Sequence, residues 1–187
     1  AMALSTGYST SGGSGVISIA SGIATGGAGG AVTMSVGEGD TGSGGDLNLA
    51  AGKSAVNGGM VNLYAGVGSV HTGGAIAIAS GEGTATSSGA ITIRSSNGGG
   101  SGVSGKLVFS SGTSSGGNSG ALYLGSGKAT GGRGGLIGIT VGSGQSGAGG
   151  MVYMRSGEST GGNGGQLLLS TGTSYSSGGV SLSLIHI

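Results

Sequence analysis

The sequence predicts an all-β fold, a β-solenoid of about twelve coils with 15 residues in each coil. Three observations lead to this prediction. Pairs of large apolar residues recur about every 15 residues, a glycine follows nearly every pair at a fixed distance, and a second glycine precedes the next pair. A repeat of this length cannot bury its apolar face alone, so neighbouring repeats are expected to stack on one another.

Each predicted coil contains one short strand, identified by two apolar residues at a spacing of two, which is typical of a strand with one buried face. The first members are Ile17, Val32, Leu47, Val61, Ile76, Ile91, Leu107, Leu122, Ile137, Val152, Leu167 and Val180. The second members are Ile19, Met34, Leu49, Leu63, Ile78, Ile93, Phe109, Leu124, Ile139, Met154 and Leu169. These two rows are expected to form inner ladders.

A glycine-rich arc completes each coil. A corner glycine, such as Gly22 or Gly127, lies three residues after the second apolar residue, and a closing glycine, such as Gly30 or Gly135, ends the arc. Glycine at fixed turn positions permits backbone angles and close approaches that a Cβ would prevent. The arc is shortened at 53–59 and lengthened at 98–104, so variation in length is confined to the predicted turns.

Composition agrees with an ordered chain. The protein has 187 residues, of which 53 are glycine and 6% are charged, and it contains no proline or cysteine. A positive mean hydropathy of +0.28 and regular apolar spacing argue against a disordered chain, and the absence of proline argues against collagen. Without cysteine, disulfides and thiolate metal sites are excluded.

Apolar residues also occupy strand positions expected to point outward, and exposed apolar patches usually mark interfaces. This predicts self-association or fibre assembly through a contact face. Its predicted members are Met60, Asn62, Tyr64, Val108, Tyr123, Leu136, Met151, Tyr153 and Leu168.

Other partners are not expected. A net charge of +1 and only six aromatic residues argue against nucleic-acid binding, which needs a basic stripe or stacking platforms. No apolar run reaches the roughly 20 residues of a membrane-spanning helix. A glycan or ice stays open as a surface ligand.

Glycine-rich ligand motifs fail on spacing. Gly52-Lys53-Ser54 matches the end of a phosphate-binding loop, but Leu47 stands where that motif needs its first glycine. Calcium-binding repeats need recurring aspartates, whereas this chain has only Asp40 and Asp46. We therefore predict no metal and no cofactor.

The sequence predicts no catalytic residue and no enzyme activity. In a solenoid, Glu38 and Glu82 would lie three coils apart, about 14 Å, which exceeds the separation of a catalytic carboxylate pair. His71 occurs in a variable arc, where a solvated side chain is the simpler interpretation.

Ice binding is the alternative function, because ice-binding solenoids present regular ranks of threonine or other small residues. One arc position carries such a rank, interrupted in some repeats. Its members are Thr10, Thr25, Ser69, Thr84, Ser115, Thr130 and Thr160.

The repeats GGLIGITVGSGQSGAGGMVYM and SGESTGGNGGQLLLSTG resemble glycine-rich β-repeat regions of phage tail fibres and microbial surface adhesins. This resemblance implies a structural or adhesive rod that is extracellular or on a virion surface. The final LSLIHI resembles the translation of a sequencing adapter. We therefore expect one repeat domain over 1–181, a fragment without caps, and a non-native tail over 182–187.

Overall fold

The structure is a computed structural model that describes residues 2–172 and 179, and over these residues it contains no helix and no strand. The predicted all-β fold, a β-solenoid of stacked 15-residue coils, is therefore wrong, as is the description of the chain as a β-helix. The described residues include no buried side chain. The two predicted inner ladders consequently do not form a core.

The backbone hydrogen bonds explain why no strand forms. A strand needs N–H and C=O partners on a neighbouring segment. Gly59 N donates to Gly52 O at 2.9 Å, and Gly165 N donates to Gly157 O at the same distance. Across the described residues, all the backbone bonds of this kind join two residues of one arc, so successive apolar pairs share none.

Each arc folds back on its own start. In a solenoid, the arc would instead lead the chain around one full coil to the next strand. A Cβ placed on Gly15 would lie 3.2 Å from Thr6 Cγ2, and one placed on Gly135 would lie 3.2 Å from Ser126 Cβ. Most closing glycines therefore lie against the residue nine positions earlier, whereas Gly59 in the shortened arc and Gly105 after the lengthened arc lie against Ala51 and Ser95, eight and ten positions earlier. A stacked solenoid would require regular contacts about 15 positions apart, whereas the contacts that close the arcs are local.

The bends of the chain recur with the sequence period. They occupy 10–12, 25–27, 40–42, 55–56, 69–71, 84–86, 100–102, 115–117, 130–132, 145–148 and 160–162. Gly12 and Gly42 have φ values of 85° and 89° within their bends, a conformation that favours glycine. The period thus specifies where the chain bends, although it does not produce a sheet.

Both length changes are absorbed inside the arcs. The shortened arc has a bend of two residues at 55–56 and is still closed by the bond from Gly59 to Gly52. The lengthened arc contains a tight turn in which Gly102 N donates to Gly99 O at 3.0 Å.

The chain divides into two units, Ala1–Thr92 (unit 1) and Ile93–Ile187 (unit 2). Unit 1 holds six of the bends and unit 2 holds five. The predicted single domain over 1–181 stays a prediction, and the predicted tail at 182–187 lies outside the described residues.

Candidate contact surface

Side-chain exposure alternates along the apolar segments. Leu136 is 93% exposed, whereas its neighbour Ile137 is 46% exposed; Leu168 is likewise more exposed than Leu167 or Leu169. Successive side chains of an extended backbone point to opposite sides, which produces this alternation. The pair residues therefore share one side of the chain, as the sequence predicts, but that side remains open to solvent.

The nine residues of the predicted contact face are all exposed in the structure. Tyr123 is 93% exposed, and Tyr153 is 68% exposed. Tyr64 Oη donates a hydrogen bond to Asn62 Oδ1 at 3.4 Å, which brings two of the nine residues together. Whether these residues contact a partner stays a prediction.

The position between the two members of a pair, which we call the middle position, differs between the two units. In unit 1 it carries small or polar residues: Ala3, Ser18, Thr33, Asn48, Asn62, Ala77 and Thr92. In the described part of unit 2 it carries Val108, Tyr123, Gly138, Tyr153 and Leu168. The middle position is thus more apolar in the described part of unit 2 than in unit 1.

Two successive pairs of unit 2 approach one another around a cavity of about 280 Å³. Phe109, Leu122, Tyr123 and Leu124 line it, and Leu124 is the counterpart of Phe109 15 residues later. Apart from the Tyr123 phenol, the lining residues carry no side-chain group that donates or accepts a proton. This cavity can accept apolar atoms but supplies no acid–base chemistry.

A third position lies on the side of the chain that carries the pairs, and the sequence pattern did not predict it. The residue two places after the second pair member contacts the closing glycine: Val36 Cγ1 would lie 2.7 Å from a Cβ on Gly45, and Val141 contacts Gly150 in the same way. Ala65 and Ser156, at the same position, are among the few described residues that are not fully exposed. Continuing the two-residue alternation of each pair by one more step reaches this position.

The ionisable side chains of the described residues are exposed and spread along the chain. Within the described residues, no three His, Asp or Glu side chains are grouped so that they could hold a metal ion. Arg155 Nη2 forms an exposed ion pair with Glu158 Oε2 at 3.1 Å. Glu38, Glu82 and His71 are exposed and lie in separate arcs.

The predicted ice-facing rank lies at the start of the bends. Its seven members, Thr10, Thr25, Ser69, Thr84, Ser115, Thr130 and Thr160, each occupy the first residue of a bend and are exposed. The solenoid expected to align them on a flat face is absent from the described part of the chain. Ice binding itself stays a prediction, which an assay for thermal hysteresis would test.

Comparison of the chain with protein-family models, with curated proteins and with solved structures finds no match. In the part of the chain that the structure describes, no helix has the length and hydropathy needed to cross a membrane.

Proposed function

We propose that this chain is a non-enzymatic structural or adhesive repeat element, a segment of a fibre or surface assembly that self-associates. Its place would be outside the cell or on a virion surface. The apolar pairs of both units, together with the middle positions of unit 2, supply the contacts between copies.

The observation that carries the proposal is the surface that one chain leaves open. The accessible surface is 18614 Å², whereas a folded monomer of 16.9 kDa is expected to expose about 7,700 Å². The excess is more than ten times the roughly 800 Å² that each partner buries in an interface of standard size. Association with other copies would bury the regular apolar pairs that a single chain leaves open.

The non-enzymatic part of the proposal rests on the distribution of the polar groups in the described residues. Chemistry in a protein site needs an acid, a base or a nucleophile held in a pocket that excludes water. The cavity between Phe109 and Leu124 has an apolar lining, and the carboxylates and histidine of the described arcs lie in solvent.

Sedimentation analysis of the native chain, Leu122→Asp and Lys128→Ala over a wide concentration range tests the proposal. The native chain and Lys128→Ala should form multimers of the same mass, because Lys128 is an exposed arc residue. Leu122→Asp should stay monomeric, because a carboxylate among the apolar pairs would be desolvated on association. A native chain that stays at 16.9 kDa throughout would contradict the proposal.

A further inference from the structure

The charged residues are segregated between the two units, although the chain as a whole is nearly neutral. Unit 1 has four carboxylates and one lysine, a net charge of −3: Glu38, Asp40, Asp46, Lys53 and Glu82. Unit 2 has five basic residues and one carboxylate, a net charge of +4: Arg94, Lys106, Lys128, Arg133, Arg155 and Glu158. The total is the +1 of the whole chain.

Opposite charges also occupy equivalent positions of the repeat in the two units. After the corner glycine, unit 1 carries Glu38 and Glu82 but also Lys53, and unit 2 carries Lys128 but also Glu158. Before the first member of an apolar pair, unit 1 carries Asp46 and unit 2 carries Lys106. All seven side chains are exposed. They therefore flank the apolar pairs, where they would lie at the rim of any surface that the pairs bury.

Rim charges act mainly on alignment. Burial of apolar surface supplies most of the affinity in association, whereas exposed charge pairs contribute little individually but favour one partner orientation and disfavour another. Placing unit 1 against unit 1, and unit 2 against unit 2, would bring like charges together. Placing unit 1 against unit 2 brings a net charge of −3 against a net charge of +4.

We infer that copies of this chain associate with the acidic unit 1 of one copy against the basic unit 2 of another. The inference rests on the proposed self-association and adds which surfaces meet. The occupant of the apolar surface of unit 2 is unit 1 of a second copy, because this is the arrangement that buries the pairs of both units with complementary charge.

Charge-swap variants of the full chain test the alignment. One variant reverses unit 1 with Glu38→Lys, Asp46→Lys and Glu82→Lys, and another reverses unit 2 with Lys106→Glu, Lys128→Glu and Arg133→Glu. A third variant combines all six substitutions. Each single-unit variant gives the two units the same sign of charge, and the combined variant makes them opposite again. None of these residues belongs to an apolar pair.

Sedimentation measures the dissociation constant of the native chain and of each variant, and comparing these constants tests the alignment. At about 0.02 M NaCl, each single-unit variant should bind about tenfold more weakly than the native chain, and the combined variant should return to within about threefold of it. Raising the salt to about 0.5 M should weaken the native assembly and remove most of the difference between variants.

Three results would overturn the inference. They are single-unit variants that associate like the native chain, a combined variant as weak as its parents, and a native assembly that salt does not weaken. If unit 2 instead binds an anionic polymer, reversing the charge of unit 1 would leave the association between copies unchanged. This is the first of these results. A native chain that associates but is indifferent to the swaps defeats only the alignment. A native chain that never associates defeats the proposed function as well.

Discussion

Unit 1 and unit 2 follow one repeat but present different surfaces. Both have apolar pairs about 15 residues apart, a bend in each described arc, and closing glycines that contact the residue two places after the pair. At the middle positions, however, unit 1 carries Thr33 and Asn48 where unit 2 carries Tyr123 and Tyr153. What the units share sets the course of the backbone, and what differs between them determines what each surface can bind.

The largest expected effect concerns the shared apolar pairs. Ile17→Asp in unit 1 and Ile137→Asp in unit 2 replace equivalent residues, which are 47% and 46% exposed. Each variant should weaken self-association by a factor on the order of 100, because it places a charge at the centre of the buried surface. Sedimentation measures the loss. Equal losses support a shared role for the pairs, whereas a loss confined to one unit would limit the interface to that unit.

A smaller effect on self-association is expected from the middle positions, where the residue types differ between the two units. Tyr123→Asn together with Tyr153→Asn gives unit 2 the polar middle positions of unit 1, and should weaken association by about tenfold through lost aromatic burial. The matched change in unit 1, Thr33→Ala with Asn48→Ala, should change the dissociation constant by less than about twofold. If the two double variants behave alike, the apolar middle positions of unit 2 have no role in association.

Arc closure should respond in the same way in both units. A Cβ on Gly83 would collide with the carbonyl oxygen of Ser87, and a Cβ on Gly98 would lie 2.8 Å from Gly102 O. Gly83→Ala and Gly98→Ala should each lower stability by about 1–2 kcal/mol. Thermal unfolding of the assembled protein measures this change. The control is Gly22→Ala, since no atom lies within 4 Å of the added Cβ; a comparable loss in this control would show that the collisions are not the cause.

The smallest effect is expected at the ion pair between Arg155 and Glu158. Both side chains are mostly exposed, at 62% and 75%, so Arg155→Ala should change stability by less than about 0.5 kcal/mol. Thermal unfolding of Arg155→Ala and Glu158→Ala, alone and combined, measures the coupling. A coupling above about 1 kcal/mol would mean that association buries this part of unit 2.

The sequence was a good guide to local structure and a poor one to the fold. The two-residue period explains why Leu136 and Ile137 lie on opposite sides of the chain. The 15-residue period explains where the bends begin, as at Thr25. Such periods show that the pairs need a common partner, but they do not show whether that partner is another repeat of the same chain. The solenoid prediction assumed that it is, whereas the arcs close locally, as between Gly52 and Gly59.

Parts of the candidate surface were predicted and parts were missed. The outward residues Tyr123 and Leu168 were identified because large apolar side chains broke an expected polar row. The charge segregation was missed because the net charge of +1 conceals it, and a count for each half of the chain finds it. The contact of Val141 with Gly150 was missed because each predicted strand was identified by its two apolar pair residues alone, here Ile137 and Ile139.

Amide hydrogen exchange at residues 136–139 and 151–154, followed over protein concentration, tests the central claim most directly. In the structure these segments make no backbone hydrogen bond of their own, so a single chain has nothing to protect them. We expect exchange close to that of an unfolded peptide in dilute protein, and strong protection at concentrations where copies associate. Equal, strong protection in a monomer would contradict the account, because a single chain would then pair these segments by itself.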